Sequence, residues 1–197
     1  MPSSINKIKL VFILTIIVLI VTLFAFIHKK PMTELEYRQE AERIAQRQEW
    51  PSLETLAKQW QQQYPASEMS HTALGDSLRM RGNFPAAADA YGSALKIAPG
   101  NPEIWAHHGV MMLELSNFDQ AAGSCQSSAT INPEFAQAWY CLALAAAELN
   151  QAEPSLFALS KLAALNPGLH ETARKILRDH ICKKPDRKLP NSLCQTS

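Results

Sequence analysis

The stretch EMSHTALGDSLRMRGNFPAAADAYGSALKIAPGN, residues 68–101, decides the fold. It reads as two helical segments around a polar turn at Gly82-Asn83, with Gly75, Phe84, Ala87, Tyr91 and Ala94-Leu95 at set intervals and Pro99-Gly100-Asn101 closing the unit. Outward from it, Pro99 belongs to a series, Pro65, Pro99, Pro133 and Pro167, that returns every 34 residues. His71, Trp105 and Trp139 form a second ladder in step with it, and Gly75, Gly109 and Ala143 a third. Self-similarity at a fixed period marks a stack of repeats, in which each unit exposes apolar surface that only the next can cover.

The copy that starts at Pro102 keeps Trp105, Gly109, Phe118, Ala121 and Pro133, but carries His108 at an apolar position and Cys125 at an aromatic one. The copy from Ala136 keeps Trp139, Leu142, Ala143 and Pro167, turns at Asn150-Gln151, and has Ser155 at a small-residue position. Tyr37, Ala41, Trp50 and Pro65 lie on the same grid upstream, where Trp60 replaces a small residue and no glycine marks the turn. This pattern resembles the tetratricopeptide repeat (TPR), a helix-turn-helix unit. The resemblance implies an all-α solenoid with a TPR-like N-terminal cap at 34–67 and repeats at 68–101, 102–135 and 136–169. Proline suits the end of each second helix, while Pro51 and Pro85 fit the first turn of one. A composition of 47% apolar residues with only 7 glycines agrees with a packed helical chain. Ala173, Ile176, Leu177 and Ile181 recur at helical spacing, which predicts a C-terminal capping helix at 170–182 before a polar tail at 183–197.

After a short segment at 1–9, Leu10 to Ile27 is apolar except for Thr15 and Thr22. As a helix, this run would cover roughly 27 Å, near the hydrocarbon thickness of a bilayer. It reads as a single transmembrane helix at 10–27. The rival, a cleaved signal peptide, lacks a small-x-small site, and no cysteine follows to accept lipid. Lys7 and Lys9 on one side nearly balance Lys29, Lys30 and Arg38 on the other, so charge leaves the orientation open. Cys182 and Cys194 bracket the tail segment CKKPDRKLPNSLC. A disulfide between them would close this loop and require an oxidising compartment; two free thiols are the alternative. Cys125 and Cys141 read as small packed residues within the repeats. The expected location is a bacterial inner membrane with the repeats in the periplasm, a cytoplasm-facing solenoid being the alternative.

Chemistry is sparse. Neighbours such as His107 and His108 point about 100° apart on a helix and so do not make a metal pair. No CxxC zinc pair, haem attachment, phosphate loop or nucleophile elbow is present. No catalytic residue, metal or cofactor is expected, and no aromatic-basic platform suggests nucleic acid.

The resemblance implies instead a concave groove, lined by the first helix of each repeat, that binds a protein or peptide segment. By register its positions are Met69, Thr72, Asp76, Arg79 and Met80, then Glu103, Ala106, Val110 and Leu113, then Gln137, Tyr140, Leu144 and Ala147. The Lys/Asn clamp with which chaperone-binding relatives hold a carboxylate is absent from these positions. Val110, Leu113, Tyr140 and Leu144 would suit an amphipathic helix, with packing between helices as the competing role. Acids outnumber bases by 9 to 4 between Glu68 and Pro167, but bases lead by 7 to 3 from Gly168 to Pro190, so the near-neutral total hides a divided charge. The function that fits is a membrane-anchored adaptor, in roles such as cytochrome c maturation, pilus or secretion assembly, or translocon-associated chaperoning. The alternatives are a self-associating scaffold and a regulatory subunit of a membrane enzyme or protease.

Overall fold

The computed structural model describes residues 14–19, 31–186 and 189–194, in two compact units, Met1–Glu36 and Tyr37–Ser197. In the first, residues 14–19 are helical, with Leu14, Ile16, Ile17, Val18 and Leu19 exposed. No helix among the described residues is long and apolar enough to cross a membrane. The remainder of the span expected at 10–27 lies outside the described residues, as does the segment 1–9.

The repeats form four helical hairpins: α1 (Glu34–Gln46) with α2 (Trp50–Gln63), α3 (Glu68–Met80) with α4 (Phe84–Ile97), α5 (Pro102–Glu114) with α6 (Phe118–Ile131), and α7 (Ala136–Glu148) with α8 (Ala152–Leu165). From α2 to α8, each helix packs on the next along the chain, and α5 also meets α7. Described residues contain no strand. Each second helix ends two residues before a proline of the 34-residue series, and Pro51 and Pro85 stand in the first turns of α2 and α4. The Trp105 and Trp139 indoles donate to the Pro99 and Pro133 carbonyls, both at 2.7 Å, which ties each first helix to the linker before it. His71, on the same ladder, meets the Gln61 amide at 3.1 Å instead.

Within every hairpin the turn passes through one left-handed residue: Gln48 (φ 58°), Gly82 (φ 75°), Ser116 (φ 58°) and Asn150 (φ 59°). Only Gly82 adopts this conformation without a Cβ clash, so the N-terminal hairpin makes the same turn as the others without the glycine signal. Ser116→Gly is expected to raise the unfolding free energy by about 0.5–1 kcal/mol in chemical denaturation, with Gly82→Ser losing a similar amount.

The small-residue ladder has a different filler in each repeat. A Cβ on Gly75 would lie 2.7 Å from the Tyr91 ring. At Gly109 it would collide with the Cys125 sulfur and come within 3.0 Å of the Cys141 sulfur. The Ala143 carbonyl accepts a 2.9 Å hydrogen bond from Ser155, which explains a serine at a small-residue position. One expectation is corrected at Gly109: Cys125 and Cys141 are not separate packed residues but a disulfide between α6 and α7, Cα to Cα 5.9 Å. They stand 16 residues apart, as do Tyr91 and His107, whose rings lie 5.4 Å apart between α4 and α5. A residue on a second helix thus faces one on the next first helix, and two cysteines occupy such a facing pair.

The C-terminal helix, α9 (Pro167–Ile176), begins three residues ahead of the expected 170. Pro167 needs no amide partner in a first turn, and the Asn166 side chain accepts from the Leu169 amide at 3.0 Å, which together start the helix early. It packs on α7 and α8, with Ala173, Leu177 and Ile181 buried, and widens into a π turn at Leu177–Ile181. Cys182 and Cys194 are joined, Cα to Cα 5.8 Å. The tail is more structured than its polarity suggests, because α10 (Asn191–Cys194) buries Leu193 and Arg174 donates to the Ser192 carbonyl at 2.8 Å.

Candidate peptide groove

The first helices of the repeats contribute side chains to two cavities. The N-terminal one encloses about 440 Å³. Its walls come from Arg38 and Glu42 on α1, Trp60 on α2, Met69, Thr72 and Asp76 on α3, and Glu103 and His107 on α5. Asp76 is the polar centre. It accepts a 2.6 Å hydrogen bond from the Tyr91 hydroxyl, and the Arg79 guanidinium and His107 Nδ1 each lie 4.0 Å from its carboxylate. Burial, reinforced by Asp76, pushes the Tyr91 phenol far above its ordinary range, so it stays a hydrogen-bond donor.

Burial also holds the His107 imidazole below its ordinary pKa, with Asp76 opposing, and does the same to His108, whose Nδ1 lies 2.9 Å from the Ser124 hydroxyl. Both histidines are therefore neutral in the folded protein at neutral pH, while the unfolded chain takes up their protons first on acidification. Stability from this pair is present above a pH of about 6.5 and is lost as the pH falls below it. A double variant, His107→Gln with His108→Gln, is expected to flatten the dependence of the denaturation midpoint on pH between neutrality and mild acid; an unchanged slope would refute the assignment.

The C-terminal cavity, about 250 Å³, has Val110, Leu113, Phe118, Tyr140 and Leu144 on one side and Ile176, His180, Ile181 and Lys184 on the other. Lys184 donates to both Glu148 carboxylate oxygens, at 2.7 and 2.8 Å, and its ammonium lies 5.7 Å from the centre of the Phe118 ring. The chain's own C-terminal segment therefore forms a wall over this half of the groove. Burial, then the Glu114 carboxylate, raises the Tyr140 phenol.

Of the positions expected to line the groove, Met69, Thr72, Asp76 and Glu103 converge on the first cavity, and Val110, Leu113, Tyr140 and Leu144 on the second. Ala106 and Ala147 are buried between helices, Leu144 also belongs to the core, and Met80 is exposed. Arg79 acts through Asp76, and Gln137 lines neither cavity. Arg38, Glu42, Trp60 and His107 were not foreseen as wall residues. Repeat spacing carried a signal for two of them, since Arg38 and Glu42 stand 34 residues before Thr72 and Asp76.

The sequence model of the tetratricopeptide repeat matches residues 51–102 and, in overlap, 72–131. A comparison with curated proteins found no match. Among solved structures, MamA 41-end from Desulfovibrio magneticus RS-1 is similar at a TM-score of 0.64 and 21% identity, over 72% of this chain and 81% of that one. YrrB, described as a TPR protein with an unusual peptide-binding site, is similar at a TM-score of 0.65 and 15% identity, over 78% and 77%. The first TPR of Spaghetti (RPAP3), bound to the HSP90 peptide SRMEEVD, is similar at a TM-score of 0.52 and 20% identity, over 55% and 89%. At these identities the structures speak to the fold, an α-solenoid of helical hairpins, and within it residues 51–131 carry the sequence pattern of the tetratricopeptide repeat.

Proposed function

We propose that this chain is a membrane-anchored adaptor that grips a segment of a partner protein in the N-terminal half of its groove, without catalysis of its own. The observation that carries the reading is the cavity of about 440 Å³ between α1, α3 and α5, whose walls mix apolar Trp60 and Met69 with polar Thr72, Asp76 and Glu103. The C-terminal half is a poorer seat, because the segment from Ile176 to Lys184 already covers it. Peptide binding named for YrrB and for the Spaghetti TPR lends support by analogy of fold. The apolar run at 10–27 supports the anchor, and two disulfides support repeats in an oxidising compartment such as the periplasm.

A photoreactive residue at position 72 of the full-length chain in cells tests the reading. One distinct envelope protein captured from position 72, and not from exposed Asp89 on α4, which lines neither cavity, is the expected result. Self-crosslinks alone would turn the assignment to a self-associating scaffold, and equal capture from both positions would remove the groove from it.

A further inference from the structure

The charge of the N-terminal cavity is one-sided, and every element that lines it contributes except α2. Glu42 comes from α1, Glu68 and Asp76 from α3, and Glu103 from α5, against Arg38 on the rim. Arg79 offsets part of Asp76 from 4.0 Å, and His107 is held neutral by burial. The carboxylates of Glu42 and Glu103 belong to exposed residues on the α1 and α5 walls. A cleft edged by one sign of charge over low-dielectric walls concentrates ligands of the opposite sign.

A second observation is independent of that charge. Trp60 is 1% exposed and lines the same cavity, yet its indole N–H has no hydrogen-bond partner, and neither has the buried Nδ1 of His107 beside the same space. Unmatched buried polar atoms are rare in folded proteins and ask for a partner. Both atoms are closed to solvent as they stand, so a peptide main chain would meet them, through a carbonyl oxygen at the Trp60 N–H and an amide or carbonyl at the imidazole, only with a shift of the cavity wall. Apolar surface from Ala41, Leu53, Met69 and Ile104 adjoins them and would cover the aliphatic stem of a long side chain.

Resting on the adaptor reading above, we propose that the segment gripped here is cationic: a peptide carrying lysine or arginine, whose main chain meets Trp60 and His107 while its charged ends reach Glu42 and Glu103. This chemistry is the reverse of a clamp built for a carboxylate. It also disfavours the chain's own acidic repeat surfaces as ligands, since they share the sign of the cavity.

Selection from a random-peptide display library on the full-length chain in detergent tests it, with the double variant Glu42→Lys, Glu103→Lys selected in parallel. Both substitutions fall on exposed residues, and circular dichroism confirms that the variant folds. Wild type is expected to enrich lysine- and arginine-bearing peptides, and the best of them, synthesised and labelled, to bind about tenfold more weakly both to the variant and on raising the salt several-fold. Enrichment of acidic or uncharged peptides that compete with the position-72 crosslink would overturn the cationic partner and leave the groove reading standing. Cationic peptides that bind wild type and variant alike would place their site elsewhere and overturn the proposal. No enrichment over empty detergent micelles would overturn the adaptor reading together with it.

Discussion

Truncation of Trp60 to alanine is expected to lower the unfolding free energy by about 3–5 kcal/mol. The indole is 1% exposed and stacks on Tyr37 at 5.7 Å between ring centres, so it joins α1 to α2 and fills a position that a small residue occupies elsewhere in the repeat pattern. Its loss removes both a large buried area and a stacked pair, and no neighbouring hairpin on the N-terminal side can collapse into the space. In a solenoid, where each repeat contacts only its neighbours, the damage is local first. Urea denaturation should therefore show a new early transition, with α3 to α8 unfolding later. Trp60→Phe should lose much less, because it keeps most of the packing and also deletes an indole N–H that has no partner. A single transition at the wild-type midpoint for Trp60→Ala would contradict this account of the cap.

Replacement of Cys125 and Cys141 together by alanine is expected to lower stability by about 3 kcal/mol, from the unfolded-chain entropy released when a loop of this length is opened. The sequence separation is 16, and the bridge lies wholly inside the core, with both residues 0% exposed. Gly109 gives the sulfurs their room, so alanines would also leave the space beneath it underfilled. Wild type in strong reductant should approach the variant, once the contribution of the Cys182–Cys194 bridge is isolated with a second variant lacking that pair. If reductant leaves the wild-type midpoint unmoved while mass spectrometry shows four free thiols, neither bridge contributes to stability.

The solenoid was legible because a strict 34-residue period repeats the same packing problem, and proline, tryptophan and glycine solve it in chemically recognisable ways. Repeat boundaries followed from Pro99 and its equivalents. What escaped were contacts that depend on the neighbour across a helix pair. Cys125 reads as a small residue in its own repeat, and only the packing of α6 on α7 shows that it faces Cys141. Trp60 looks like a misfit until Tyr37 is seen against it. Part of the lining of the two cavities was legible in the first helices, but not the extent of either. Asn166-Pro167, read as the end of α8, also carried the cap and first turn that start α9, whereas nothing in the C-terminal pattern announces that Lys184 reaches back to Glu148. Leu144 combines the two roles weighed for it, since it is 6% exposed and shared between cavity wall and core.

The bridge between α6 and α7 also changes how the array responds to force. A stack of hairpins joined only by side-chain packing peels one unit at a time, like a zipper opened from an end. Here the two last repeats are riveted into one body, and the C-terminal helix is clipped to its own tail. A load drawn through the N-terminal segment would open α1 and α2 while the riveted body held its shape, so the soft end of the spring is also the end that carries the cavity.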